Sequence, residues 1–397
     1  MNSTTEKPSI GVFRHTLLPP SETFIAEQTS HITSYEVHYF GRESGKGYFN
    51  LPNCHLIQGP SETSTFERTL YTLTGRSKRL LREMKSVSPM LLHAHFGVEG
   101  VYALSFARQL RIPMVTTFHG FDATKNYIAL IKAGKISWYH FVIKMNMLKR
   151  QGDCFIAVSN YIRSRLIQRG FPPDKIIVHY IGIDPDRFTP DNKKDDGHTI
   201  LTVGRLVEKK GTEYLIKSVH KIKQSVPEVK LDIVGDGPLR SSLEKLTHEL
   251  GLSKCVIFHG SLTYKQVINI MKRASIFCLP SITARDGDAE GLGLVFLEAL
   301  ASGNPVIGTM HGGIPEAVCD GENGFLVPEK DVSILTKRLN LLLSNPLLRK
   351  EMAVKGRKWI ECNFDIKKQG AKLEQIYKRI IDSYRIKKIA DDKSNEY

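Results

Sequence analysis

Short apolar runs alternate with helix-like stretches along almost the whole chain, and this alternation limits the folds open to it. Strand-like runs stand at 9–15, 35–40, 90–96, 112–118, 154–158 and 175–181. A second set follows at 199–203, 231–234, 256–258, 274–280, 305–307 and 325–327. The run Ala274-Ser275-Ile276-Phe277-Cys278-Leu279-Pro280 is nearly continuous in apolar residues, the pattern of a strand buried on both faces. Strands that alternate with helices build parallel sheets, which bind ligands beyond the carboxyl ends of their strands. At 397 residues the chain is too long for one ordinary core, so the two sets predict two α/β domains.

The chemistry concentrates where such runs meet glycines. Glu290-Gly291-Leu292-Gly293-Leu294 leads into a helix that runs through Glu298 towards Gly303. The first N–H groups of a helix lack internal partners and lie at the positive end of its dipole, and glycines let an anion approach the main chain. A carboxylate beside such a site makes sense where it holds hydroxyl groups, and a sugar nucleotide carries hydroxyls on both sides of its diphosphate. Two glutamates at this spacing are by themselves more often surface residues, so the context decides. Gly204-Arg205-Leu206-Val207-Glu208-Lys209-Lys210-Gly211 lies between a strand and a helix. Arginine offers a rigid fork and lysine a point charge, which makes this loop a plausible diphosphate clamp. The 112–118 run ends in His119-Gly120-Phe121-Asp122, and His311-Gly312-Gly313-Ile314-Pro315 places glycines ahead of another helix. Gly235-Asp236-Gly237 is no dinucleotide fingerprint, because Pro238-Leu239-Arg240 follows it and no third glycine arrives in register.

Glu290 and Glu298, followed by Ala299-Leu300-Ala301-Ser302-Gly303-Asn304-Pro305-Val306, together with Phe118-His119-Gly120 and the Gly204–Gly211 loop, resemble the retaining glycosyltransferases of family 4. The resemblance implies the GT-B fold: two Rossmann-like parallel-sheet domains facing across a cleft, with the C-terminal helix crossing back to the first. It implies that His119 meets the donor sugar near the reaction centre and Glu290 holds the transferred sugar, while Arg205 and Lys210 bind the diphosphate as the remaining catalytic residues. Glu298 would bind the ribose hydroxyls, with Gly291, Gly293, Leu294, Gly204 and Gly313 lining the donor. Asp122 and Ser21 fall on the acceptor side. The first loop, Leu17-Leu18-Pro19-Pro20-Ser21-Glu22-Thr23-Phe24-Ile25, replaces the family's usual glycine pair. It looks like the subset that builds bacterial exopolysaccharides such as colanic acid, and Ser21 there can cap a helix. Gly182-Ile183-Asp184 and Arg187-Phe188 resemble the family's signal for the end of the first domain. The expected organisation is 1–190 for the acceptor-binding domain, 191–198 for a polar linker, and 199–365 for the nucleotide-sugar domain. A returning helix at 366–388 and a polar tail at 389–397 complete it. Another helix, long and basic, is expected at 61–86.

Charge decides which partners to expect. A net charge of +15 calls for nucleic acid, an anionic membrane or acidic small molecules. No nucleic-acid-binding module is recognisable. Residues 123–152 contain no acidic side chain, and Lys125, Lys132, Lys135, Lys144, Lys149 and Arg150 alternate there with Tyr127, Ile131, Trp138, Tyr139, Phe141 and Met145. Several such cations at about 1 kcal/mol each can hold an enzyme reversibly to anionic lipid. A solvated helix with one buried side is the bland reading of the same stretch. Without an apolar signal-peptide core or a run long enough to span a bilayer, the expected location is cytoplasmic, at the inner face of the membrane. Six cysteines without paired spacing suit free thiols. The reading is transfer of a sugar from a nucleoside diphosphate sugar to a hydroxyl of a glycan or polyisoprenoid-linked acceptor. No cofactor is expected, and no metal, since no Asp-x-Asp motif is present. The rival readings are a sugar-nucleotide epimerase on the same scaffold and a GT-B binding protein that has lost its chemistry.

Overall fold

The expected alternation appears as two parallel sheets in a computed structural model, which describes residues 7–17, 22–45, 51–57, 65–190 and 196–394. In the first part of the chain the strands are β1 (Ser9–Phe13), β2 (Thr16–Leu17), β3 (Glu36–Gly41), β4 (Glu43–Ser44), β5 (Cys54–Leu56), β6 (Leu92–His95), β7 (Met114–Phe118), β8 (Cys154–Ala157) and β9 (Ile176–Val178). Seven of them form one sheet in the order β5-β3-β1-β6-β7-β8-β9, and β2 pairs with β4 beside it. The second part holds β10 (Thr199–Val203), β11 (Lys230–Val234), β12 (Val256–Gly260), β13 (Ile276–Cys278), β14 (Val306–Thr309) and β15 (Gly324–Val327), in the order β12-β11-β10-β13-β14-β15. Every pairing in both sheets is parallel. In each, the strand order reverses once, between β1 and β6 and between β10 and β13, and a doubly wound sheet opens its ligand crevice at such a point.

The chain divides into two units, Met1–Gly182 with Ile366–Tyr397, and Ile183–Asp365. The division after Gly182 lies ahead of the expected boundary at 190, for a local reason. The Ile183 N–H donates to the Phe364 carbonyl at 2.8 Å, and the Arg357 guanidinium donates to the carbonyls of Pro185 at 2.7 Å and Phe188 at 3.2 Å. Residues 183–188 are thereby held by the second unit. Of the expected linker, 191–195 lies outside the described residues, as do Ser21 and the Pro19-Pro20 turn.

The last helix, Ile366–Ser394, packs within the first unit and continues through residues expected to be a polar tail. Leu373, Tyr377 and Ile381 join Ile10, Val115 and Ile156 in one buried cluster. The Glu374 carboxylate accepts from the Ser34 N–H at 2.7 Å and hydroxyl at 2.8 Å. The single helix expected at 61–86 is broken: Thr65–Thr74 and Lys78–Val87 are separate, and 61–64 lies outside the described residues. Gly75 takes a left-handed φ of +74°, and the Ser77 hydroxyl caps the second helix by accepting the Leu80 N–H. The six thiols are free, with Cys154, Cys255 and Cys278 buried.

Candidate functional site

The second unit's site is built on the loops that follow β10, β13 and β14, around the point where its strand order reverses. The Gly204–Gly211 loop ends in a glycine whose replacement is strained on two counts. Gly211 has φ +61°, starts the helix Thr212–Ile222, and a Cβ there would lie 2.0 Å from the Pro280 carbonyl oxygen. Gly211→Ala is therefore expected to destabilise the second unit by about 2 kcal/mol, against about 1 kcal/mol for Gly251→Ala. Gly251 shares the positive φ but has open space around it. Urea unfolding followed at Trp359 in a Trp138→Phe background checks this, and equal losses would remove the clash from the account.

Lys210 and Glu290 meet across these loops. The Lys210 ammonium lies 2.8 Å from Glu290 Oε1, while Lys209 lies 3.1 Å from Asp288 Oδ1 and 3.8 Å from Glu290 Oε1. Burial alone would raise the Glu290 pKa, yet Lys210 and Lys209 hold it down at about 2. The two lysines move in opposite directions. Burial pulls both down, but Lys209 faces two carboxylates and ends above its ordinary value. Lys210 shares Glu290 with Lys209, lies near Arg205, and ends below. Arg205 is exposed and its guanidinium makes no hydrogen bond or ion pair among the described residues, so its fork is available to an incoming anion.

The glycines around Glu290 are packed main chain to main chain. The Gly313 N–H donates to the Glu290 carbonyl at 3.1 Å, and a Cβ at Gly313 would stand 2.0 Å from the Gly291 carbonyl oxygen. Gly293, at φ +81°, precedes the helix Leu294–Ala301, so the glycines lie ahead of the helix. Leu294 thus begins that helix and half-buried Glu298 lies in its second turn. Glu290, Gly291, Gly204, Gly313, Arg205 and Lys210 are all brought to these neighbouring loops.

In the first unit, His119 follows β7, one strand away from the other reversal of strand order. Its ring packs against Phe96, 4.5 Å between centroids, and Phe24, 5.1 Å. Its Nε2 lies 3.1 Å from His95 Nδ1, and its Nδ1 is buried without a hydrogen-bond partner among the described residues. Burial first, then His93 and Arg14, drive its pKa well below the ordinary histidine value, so the ring is neutral. Asp122 proves to be an organiser of the loop rather than a group facing outward. It is fully buried, and its carboxylate accepts the N–H groups of Gly97 at 2.9 Å, His119 at 3.1 Å and Gly120 at 2.9 Å. Sequence reasoning passed over His95 and Arg14. His93 and His95 stand two apart on one strand and so share a face, which is a readable signal. Arg14 binds Glu22 through two 2.8 Å contacts, pairs with Glu99 and lies over the Phe96 ring, 4.4 Å from its centroid.

Two Rossmann-like units, one carrying a cationic glycine-rich loop that meets a buried glutamate, have the architecture of the GT-B fold. Residues 26–187 match the family described as Glycosyltransferase Family 4, and residues 185–359 match Glycosyl transferases group 1. Among relatives, the chain is 35% identical over 250 residues to the putative colanic acid biosynthesis glycosyltransferase WcaL of Salmonella typhimurium, spanning 62% of this chain and 59% of that protein. It is 31% identical over 292 residues to the amylovoran biosynthesis glycosyltransferase AmsK of Erwinia amylovora, spanning 72% of this chain and 69% of that one. The crystal structure of Anabaena Alr3699/HepE in complex with UDP and glucose superposes with a TM-score of 0.73 at 18% identity, over 94% of this chain and 100% of that one. The match thus spans about three fifths of the length of WcaL. The chain belongs to glycosyltransferase family 4.

Proposed function

We propose that the protein is a retaining, metal-independent hexosyltransferase that moves a sugar from a nucleoside diphosphate sugar to a hydroxyl of a glycan or lipid-linked acceptor in surface polysaccharide biosynthesis. The observation that carries this reading is the Lys210–Glu290 ion pair at the point of strand reversal, with Arg205 exposed beside it. Breaking the bond between sugar and phosphate leaves charge on the diphosphate, and fixed cations and helix N-termini suit that charge. In this reading Lys210 and Arg205 take the diphosphate, Glu290 the sugar hydroxyls and Glu298 the ribose. His119, neutral, offers its buried Nδ1 to the sugar. The leaving phosphate accepts the acceptor's proton on the face from which the acceptor attacks, which retains configuration without a protein nucleophile.

A membrane-borne acceptor fits the surface of the first unit. Ile128, Ile131, Ile136, Tyr139 and Ile143 are exposed, Ile128 by 68%. Lys125, Lys132, Lys135 and Lys144 interleave with them, and Lys135 covers the Trp138 ring at 4.5 Å. No helix among the described residues is long and apolar enough to cross a membrane. Peripheral attachment at the inner face of the membrane is part of the proposal.

The test is a thermal-shift and NMR titration with UDP-, GDP- and ADP-sugars on the native chain and on Lys210→Ala. One nucleotide sugar is expected to stabilise the native chain and to lose most of that effect in the variant. If none stabilises either protein, the clamp assignment fails and the reading of a chemically silent GT-B binding protein replaces it.

A further inference from the structure

We propose that His311 and Glu329 form a positioning pair for Glu290, with His311 held as the neutral tautomer that carries its proton on Nδ1. The kinetic part of this inference rests on the transferase reading; the tautomer does not. The Glu290 main-chain N–H lies 3.2 Å from His311 Nε2. A main-chain N–H only donates, so Nε2 must present a lone pair. On the other side of the ring, Nδ1 lies 2.8 Å from Glu329 Oε1, and an ionised carboxylate only accepts, so Nδ1 carries the hydrogen. The ring is 3% exposed, and its two partners fix its orientation as well as its proton.

The pair grips a whole segment. Glu329 also accepts the Thr283 N–H at 2.9 Å and hydroxyl at 3.2 Å, so one carboxylate holds the beginning of the 283–290 stretch while His311 holds its end. The next residues of the same turn complete the grip. Gly313 donates to the Glu290 carbonyl at 3.1 Å, and a Cβ at Gly312 would lie 2.3 Å from that oxygen. Both main-chain polar groups of Glu290 are therefore fixed by residues 311–313, and the peptide planes on either side of it cannot turn. The side chain leaves from that fixed main chain towards Lys210. Lys209, through Asp288, fastens the segment from the opposite side. The loop between the strand β13 and the glycines thus becomes a frame for Glu290 rather than a polar connector. Displacing a reacting group by about 1 Å can cost about a hundredfold in rate, which sets the scale for losing the frame.

Two measurements decide the matter. Long-range 1H–15N correlation of the native protein, with the His311 signals assigned by their loss in His311→Gln, is expected to show the Nδ1–H pattern. The Nε2–H pattern would overturn the proposal whether or not the protein transfers sugar. In the kinetic arm, Glu329→Leu is expected to lower kcat about 10- to 100-fold, with donor KM changed far less. Glu329→Gln, whose amide oxygen still accepts from Nδ1, should stay within a few fold of native. Equal kcat loss in Glu329→Leu and Glu329→Gln, both still folded by circular dichroism, would mean that charge rather than positioning matters, against the proposal. If the native protein transfers no sugar at all, the transferase reading falls while the tautomer measurement still judges the pair.

Discussion

Glu290→Gln is expected to lower sugar transfer by at least about a hundredfold at a temperature where the protein is still folded. Glutamine keeps the size of the side chain, and its amide oxygen can still accept from the Lys210 ammonium 2.8 Å away. What is lost is the charge that balances two lysines and, in the proposed reading, the acceptor strength that holds the sugar's hydroxyls as charge develops. Stability falls as well. Lys210 and Lys209 draw the carboxyl from 4.5 to about 2 despite its burial, which corresponds to a contribution on the order of 3 kcal/mol. Since the folded value is depressed, that contribution is complete above the ordinary glutamate range and is lost only as pH falls towards 2. An assay at pH 7 therefore compares a fully ionised native site with a neutral variant. Part of the loss returns through the retained hydrogen bond, so the variant is expected to fold with a lowered melting temperature. Turnover should be measured well below that temperature, with circular dichroism confirming the fold. Unchanged turnover in a folded variant would remove Glu290 from the reacting site and leave the ion pair a purely structural contact.

How far the chain could be read in advance follows from which interactions are local. Each strand-like run anticipated from apolar patterning forms a strand, because a parallel strand buried on both faces must be apolar along its length. β5, Cys54–Leu56, was passed over because three half-buried residues give no periodic signal. The break at Gly75 was hidden by basic residues on both sides, which made two helices look like one. In the site, glycines and cations in order along the chain were legible, since close main-chain approaches such as Gly211 on Pro280 leave no other residue type. The sequence favours Lys210 over Lys209 as the clamp residue, because Lys210 directly precedes Gly211, but it does not show which carboxylate each lysine meets. Lys209 and Lys210 are adjacent in sequence, and only the folded loop gives one to Asp288 and the other to Glu290. Asp122 shows a related limit: nothing in the sequence of a polar residue after a strand announces the three main-chain N–H groups that its carboxylate accepts. Glu329 and His311 stand far enough apart in sequence that no spacing rule connects them.

Acid is expected to cost the first unit about 4 kcal/mol between pH 7 and pH 5 through His93 and His179 together, about 2 kcal/mol from each. Burial and then His179 push His93 down to about 3, and burial, partly opposed by the Gln369 carbonyl, pushes His179 down to about 4. Both rings are neutral in the folded protein, whereas an unfolded histidine takes its proton near pH 6.5. Their contribution is thus complete above about 6.5 and is lost as pH falls through that value towards 4 and 3. His15, His95 and His119 are shifted the same way by burial and add to the effect, while buried Asp122 and Asp153, shifted upward, oppose it at lower pH. Against a typical domain stability of about 5–15 kcal/mol, this is a large fraction. The chain has two tryptophans, Trp138 in the first unit and Trp359 in the second, so Trp359→Phe leaves a fluorescent reporter of the first unit alone. Its urea midpoint should fall steeply from pH 7 to pH 5, and a flat profile would mean that the rings are already charged in the fold. The loss also has an expected location. His93 holds the Tyr377 hydroxyl at 2.6 Å and His179 the Gln369 carbonyl at 2.9 Å, both on the helix Ile366–Ser394. Protonating His93 puts a donor on the ring nitrogen facing Tyr377 and on the one facing Thr117, and neither buried ring can shed its charge to water. Hydrogen exchange at pH 5 should therefore open that helix before the central strands β6 and β7, which places the weakest seam of the first unit where its last element joins the sheet.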